Sequence, residues 1–316
     1  MANERTPSRW SRRSFLTRWA VALASLASFA AVSGCGVRLE DDAPRIPLLP
    51  TRVPGPDEPA LGSALTGTWA LEDVAASLRA GRSGMPARLR SVHARQATVL
   101  STLLTEGGAP VPSRLAGRAP AGSAAHLRDA ERASAAALLR VLPAVSTSHL
   151  ALLVSLAAQR AAAATLLRAT VVTVDRAAAG PPPGDKAVPL LAATRAAVYG
   201  FEVVAAQADP RQRPAADEAL AALRPRSVAL GQVAGDAAGP PPLGYSLPFR
   251  VEDGAGAARL ARHLLAALSQ DTASAAAAAA GDRAAITTLV SWLAEDEVLA
   301  SRWSVPPAAF PGLVTP

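Results

Sequence analysis

Cysteine is nearly absent: the chain of 316 residues has one, Cys35. A single thiol can close no disulfide within the chain, so packing alone must hold the fold. Lysine is equally rare, with Lys186 standing alone among 32 basic residues. Aromatic residues make up 4% of the chain, so Tyr199, Tyr245, Trp292 and Trp303 each read as plugs for specific gaps in an Ala/Leu core. None of His93, His126, His149 and His263 has a Glu or Asp three residues before it. Residues three apart share a helix face, so the Glu-x-x-His pairs that build metal centres in bundles are missing. There is no Gly-x-Ser-x-Gly elbow and no Ser/His/Asp spacing, which removes the common routes to nucleophilic catalysis. Gly254-Ala255-Gly256 lacks the third glycine and the preceding strand of a phosphate-cradling loop. Strand alternation is also absent. The β-branched run Val171-Val172-Thr173-Val174 sits at a helix end and reads as a frayed last turn.

Charge excludes another class. The formal net charge is +7, but residues 1–34 hold five Arg and one Glu. Without them, 27 basic residues face 24 acidic ones, or +3. No basic run or aromatic-interleaved patch remains, so no nucleic-acid partner is expected.

The N-terminus is where the sequence is most specific. Arg5, Arg9, Arg12, Arg13 and Arg18 precede an apolar stretch from Trp19 to Val32, then Ser33-Gly34-Cys35. The stretch is diluted by Ala and Ser and is shorter than the ~20 strongly apolar residues of a spanning helix. Ser11-Arg12-Arg13-Ser14-Phe15-Leu16 resembles a twin-arginine export signal, with Arg12, Arg13, Phe15 and Leu16 as its address, and the site before Cys35 resembles a lipoprotein processing site. That resemblance implies a signal peptide over 1–34, diacylglyceryl on Cys35, and a mature protein anchored at the extracytoplasmic face of the cell membrane. Two or more acyl chains suffice for stable anchoring, whereas one does not.

Residues 35–67 read as a tether, because Pro44, Pro47, Pro50, Pro54, Pro56 and Pro59 block helix and sheet ladders. From Thr68 the periodicity is helical. Trp69, Leu71, Val74 and Leu78 mark a first helix; Leu89, Val92, Val99, Leu100 and Leu103 mark a second, its stripe interrupted by Gln96. A third runs from Ser123 to Leu142, and a fourth starts at Ser146 or Thr147. Residues 68–178 therefore read as an up-down helical bundle. The Gly/Pro-rich stretch 179–186 reads as a linker. Beyond it, four further helices are expected over Ala187–Ala208, Pro214–Val233, Asp253–Ala280 and from an Asp282 cap to Trp303. The Gly235–Glu252 connection in their middle is long, as in ferritin-like bundles. The expected fold class is all-α, two helical bundles.

Three blocks then acquire meaning together. Ala196-Ala197-Val198-Tyr199-Gly200-Phe201, the loop Pro242-Leu243-Gly244-Tyr245-Ser246-Leu247-Pro248-Phe249, and the tail Ala309-Phe310-Pro311-Gly312-Leu313 resemble an actinobacterial ferritin-like domain family of unknown function. The resemblance covers 187–314 and implies a four-helix, ferritin-like domain there. In that family's pattern a Glu-His pair precedes the Ala-Ala-Val-Tyr block; here Thr194 and Arg195 stand in those places, and a fixed cation would repel a metal. Glu202 is expected to face inward beside Arg195. Glu295-Asp296-Glu297 reads as a solvated helix face, since consecutive residues splay around a helix.

The expectation is a membrane-anchored lipoprotein without cofactor, metal or enzymatic activity, serving as a scaffold or interaction module. Its partners would be the membrane through lipidated Cys35 and a protein, or a second copy of itself. A groove formed by Tyr199, Tyr245 and Phe249 is the candidate contact for a ligand or partner. The rivals are a metal-binding ferritin-like oxidase or storage bundle with atypical ligands, and a carrier of apolar ligands.

Overall fold

The computed structural model describes residues 52–78, 84–114, 122–167, 180–182 and 184–314. Among these residues there are eight α-helices and no strand: α1 Glu58–Ser77, α2 Met85–Glu106, α3 Ala124–Val141, α4 Thr147–Leu166, α5 Ala187–Gln207, α6 Arg213–Ala234, α7 Gly254–Ser274 and α8 Arg283–Arg302. The all-α class is thus as the periodicity indicates. Pro54–Pro316 form one compact unit. Val171–Val174 lie outside the described residues.

Local chemistry sets the helix ends. Ser123 accepts from His126 N at 3.1 Å, Asp253 from Gly256 N at 2.7 Å, and Asp282 from Ala284 N and Ala285 N at 2.9 and 3.0 Å. These caps satisfy backbone donors that a first turn leaves without a partner. Gly281 at φ +80° makes the turn into α8. Two boundaries differ from expectation. The Ala275–Ala279 run does not continue α7 but tightens into a 3₁₀ turn. And α1 begins at Glu58, ten residues before Thr68, so the tether cannot extend to residue 67. Pro59 sits in the first turn of α1, where its missing N–H costs nothing. Asp57 has no capping bond to its own helix. Its buried carboxylate instead caps α4, accepting from Ser146 N at 2.9 Å, from Ser146 Oγ, and from His149 Nδ1 at 2.7 Å.

The two halves have the same internal arrangement. In the first, α1 packs on α2 and α3, and α3 on α4; in the second, α5 packs on α6 and α7, and α7 on α8. The fourth helices, α4 and α8, then pack against each other. A 3₁₀ turn precedes each of them: Leu142–Ala144 before α4 touches α8, and Ala275–Ala279 before α8 touches α4. One continuous core cluster runs through this contact and includes Leu61, Leu100, Leu153, Val154, Leu289, Leu293 and Phe310. Each leucine so removed from water contributes about 2 kcal/mol. By length and composition α4 and α5 could cross a bilayer, yet 67% and 44% of their apolar windows are buried inside the protein.

The C-terminal tail is clamped. A side chain at Gly312 would lie 2.2 Å from the Ser269 carbonyl oxygen, and its φ of +76° also demands glycine. Ser155 Oγ donates to the Pro311 carbonyl at 2.7 Å, so α4 of the first half holds the tail of the second.

Candidate functional site

The interior of each half carries polar groups. In the first half, Gln96 on α2 is fully buried: the interruption in that helix's apolar stripe faces the core. Its Nε2 donates to Gln159 Oε1 on α4 at 2.9 Å and to the Ala309 carbonyl at 2.8 Å. His93 lies one turn before, with Nδ1 3.1 Å from Gln96 Oε1 and Nε2 2.7 Å from Glu131 Oε1. Arg160 donates to Ser134 Oγ, Thr68 Oγ1 and the Ala64 carbonyl at 2.6, 2.7 and 3.1 Å. Burial pulls its pKa down to about 10, against the attraction of Glu131.

In the second half, Arg226 on α6 reaches α8. Its Nη2 lies 2.8 Å from Asp296 Oδ1 and 3.2 Å from Glu295 Oε2, and its guanidinium stacks 5.0 Å from the Trp292 ring centroid. Glu297 accepts from Ala308 N at 2.6 Å. The acidic cluster is therefore no solvated face: Asp296 and Glu297 are buried. Helix α8 is covered by α4, α6 and α7, so residues on most of its circumference meet protein. Burial pushes Asp296 up to about 6 despite Arg226, and pushes Glu297 up to about 7. Glu202 does not turn inward either; it is exposed and pairs with Arg224 at 3.1 Å.

Tyr199 and Tyr245 come together as the groove reading requires, with ring centroids 5.7 Å apart and tilted 47°. They line a cleft of about 210 Å³ with Arg195, Glu202, Ser227 and Pro241. The long connection between α6 and α7 supplies Pro241 and Tyr245, while α5 supplies Arg195, Tyr199 and Glu202 from successive turns. Phe249 is elsewhere: its ring lies 3.9 Å from the Arg259 guanidinium and 6.3 Å from the His263 ring, in an edge-on contact. Arg12, Arg13, Phe15, Leu16 and Cys35 lie outside the described residues.

Two further clefts were not anticipated. One, of about 470 Å³, lies between α1 and α2 and is lined by Trp69, Glu72, Thr98, Ser101, Thr102 and Arg114. Arg114 spans Glu72, at 3.0 Å, and Asp73. Here the Trp-x-x-Glu spacing was the available signal, for it repeats the Tyr199-x-x-Glu202 spacing. The other, of about 450 Å³, is formed by Arg88, Val92 and Arg95 of α2 against Pro306, Phe310 and Leu313 of the tail. Among the described residues, no three His, Cys, Asp or Glu side chains are grouped so as to hold a metal ion.

Fold and clefts together define an all-α protein with two four-helix halves and shallow aromatic clefts on its surface. Residues 186–315, which comprise the second half, match the family described as a domain of unknown function, DUF4439. No curated protein and no solved structure matches the chain.

Proposed function

We propose that the chain is a non-catalytic binding module, exported through a twin-arginine signal and held by lipid on Cys35 at the extracytoplasmic face of the membrane. The observation that carries the non-catalytic reading is where the buried titratable groups point. His93, Glu131, Arg160, Arg226, Asp296 and Glu297 each bond another helix or the tail, and none of them lines a described cleft. Acid–base chemistry needs such groups within reach of a reacting atom. These instead fix helices to one another. The residues that do line the clefts offer aromatic faces, hydroxyls and exposed charge, which is the equipment of recognition.

The export and anchoring part rests on the residues of 11–16 and 33–35 and on their order. The relation to ferritin-like bundles rests on the three blocks in 187–314 and on the long connection between the second and third helices of that half. Four helices around buried, hydrogen-bonded polar side chains suit such an ancestry, here without a donor set for two metals among the described residues.

Fractionation tests the reading. Wild-type protein should stay with the membrane, Cys35→Ala should lose its membrane retention, and Arg12→Lys with Arg13→Lys should stop export. Normal export of the double Lys variant would refute the signal assignment. Near-stoichiometric iron or manganese in purified full-length protein would refute the metal-free, non-catalytic role.

A further inference from the structure

We infer that the first half is a diverged second copy of the DUF4439 fold, and that both copies carry the same cleft, built for a sugar ring stacked on its aromatic side chain. The copying is legible in numbering. Pro59, Leu61, Glu72, Val74, Ala75 and Ala76 of α1 each recur 130 residues later as Pro189, Leu191, Glu202, Val204, Ala205 and Ala206 of α5. Leu153-Val154-Ser155 of α4 recurs 136 residues later as Leu289-Val290-Ser291 of α8. Six of the seven buried positions of α2, Leu89, Val92, His93, Gln96, Leu100 and Leu104, coincide at the same 130-residue spacing with buried positions of α6; the seventh, Ala97, meets the half-buried Ser227.

The contacts agree with the numbering. Gln96 corresponds to Arg226 and Gln159 to Glu295, and each pair joins the second helix of its half to the fourth: 2.9 Å between the amides, 3.2 Å between the ions. One interhelical contact thus exists twice with different chemistry. Chance helical periodicity reproduces apolar spacing, but not a polar pair on two particular helices.

At the same spacing, Trp69 becomes Tyr199, Glu72 becomes Glu202 and Ala97 becomes Ser227, and each of these six residues lines a cleft between the first and second helices of its half. The connection after the second helix contributes Arg114 to one cleft and Pro241 and Tyr245 to the other. Each cleft therefore has an aromatic face, a carboxylate three residues on, at least one hydroxyl side chain and a guanidinium.

That set selects a saccharide. A pyranose ring presents C–H groups on its faces and hydroxyls on its edge, so the aromatic ring takes a face while carboxylate and guanidinium exchange hydrogen bonds with the edge. A wholly apolar ligand would strip water from the exposed Arg114–Glu72 and Arg224–Glu202 pairs and give no hydrogen bond in return. A phosphate chain would meet the carboxylates. The volume of about 470 Å³ suits two rings and lies in the lower part of the roughly 300–1,000 Å³ of small-ligand sites, while that of about 210 Å³ lies below this range and suits a single ring.

This inference deepens the binding-module reading and rests on it. The test is calorimetric titration of the full-length chain, in a detergent without sugar headgroups, with glucose, N-acetylglucosamine, maltotetraose and chitotetraose. Monomers against tetramers separates free sugar from a glycan chain as the source. At least one probe should bind at two sites per chain. Trp69→Ala and Tyr199→Ala should each remove one site, weakening it at least about tenfold, and the pair should remove both. Trp69→Phe and Tyr199→Phe keep a stacking face and should retain binding, which separates recognition from misfolding. No heat with any of the four sugars, or undiminished binding by the double Ala variant, would overturn the ligand class. Hydrolysis of a bound tetramer would instead overturn the non-catalytic reading.

Discussion

The two halves of this protein solve one packing problem with two kinds of polar chemistry. Between its second and fourth helices the first half places two amides, Gln96 and Gln159; the second places an arginine against two carboxylates, Arg226 with Glu295 and Asp296. Amides are cheap to bury once bonded, whereas ions must recover a large desolvation cost. The comparison teaches that the position of a polar contact is set by the fold, while its charge is free to drift as long as both partners drift together.

The largest expected difference follows from that contrast. Arg226→Met leaves Asp296 buried without its cation and should cost about 3–5 kcal/mol in chemical denaturation. At the equivalent place Gln96→Leu should cost about 1–3 kcal/mol, the loss of buried hydrogen bonds alone. Equal losses would break the distinction between an ionic and an amide interior.

A smaller effect separates the halves by pH. Glu297 titrates near 7 in the fold, against 4.5 for an ordinary glutamate, because burial disfavours its charge. The folded state therefore keeps a proton that the unfolded chain releases between those values, so stability rises as pH falls from 8 to 5. The gain is at most about 3 kcal/mol. Asp296, raised to about 6, acts in the same direction. Asp57 has the opposite sign: burial raises its pKa, but hydrogen bonds from Ser146 and His149 outweigh this and hold it below 3.8, so it matters only in stronger acid. Melting curves across this range should show the rise, and Glu297→Gln, which still accepts from Ala308 N, should shrink it to the part that Asp296 contributes. A rise undiminished by this substitution would assign the proton elsewhere.

How much of this was legible in sequence differs by level. Capping residues and glycine stops mark helix ends wherever the chemistry is local, as at Ser123, Asp253 and Asp282. The first helix escaped because Pro54, Pro56 and Pro59 read as spacer, while only the fold shows that Asp57 caps a helix 89 residues away. The burial of Asp296 and Glu297 escaped for a related reason. Spacing tells which residues share a face, and says nothing of how many neighbours surround a helix. At the site, scarcity of aromatics sufficed to single out Tyr199 and Tyr245. It misplaced Phe249, whose loop turns its ring toward Arg259. Trp69 was visible as an apolar stripe residue, yet its cleft has meaning only beside that of Tyr199. The correspondence crosses a change from Trp to Tyr and a shift of spacing from 130 to 136 residues, so it emerges when helix pairings are compared.

The equivalence of the halves can be measured directly by distances between spin labels. With Cys35 replaced by Ser, paired cysteines taken from Ala76, Thr98 and Ser148 report the first half, and those from Ala206, Val228 and Ala284 the second; all six positions are exposed. They stand on the first, second and fourth helices of each half. If the halves are copies, the two triangles of distances agree side by side within about 3 Å, well inside the ~8–10 Å between neighbouring helix axes. Sides differing by a full interhelical spacing would show that the halves arrange their helices differently, and the shared cleft would lose its basis.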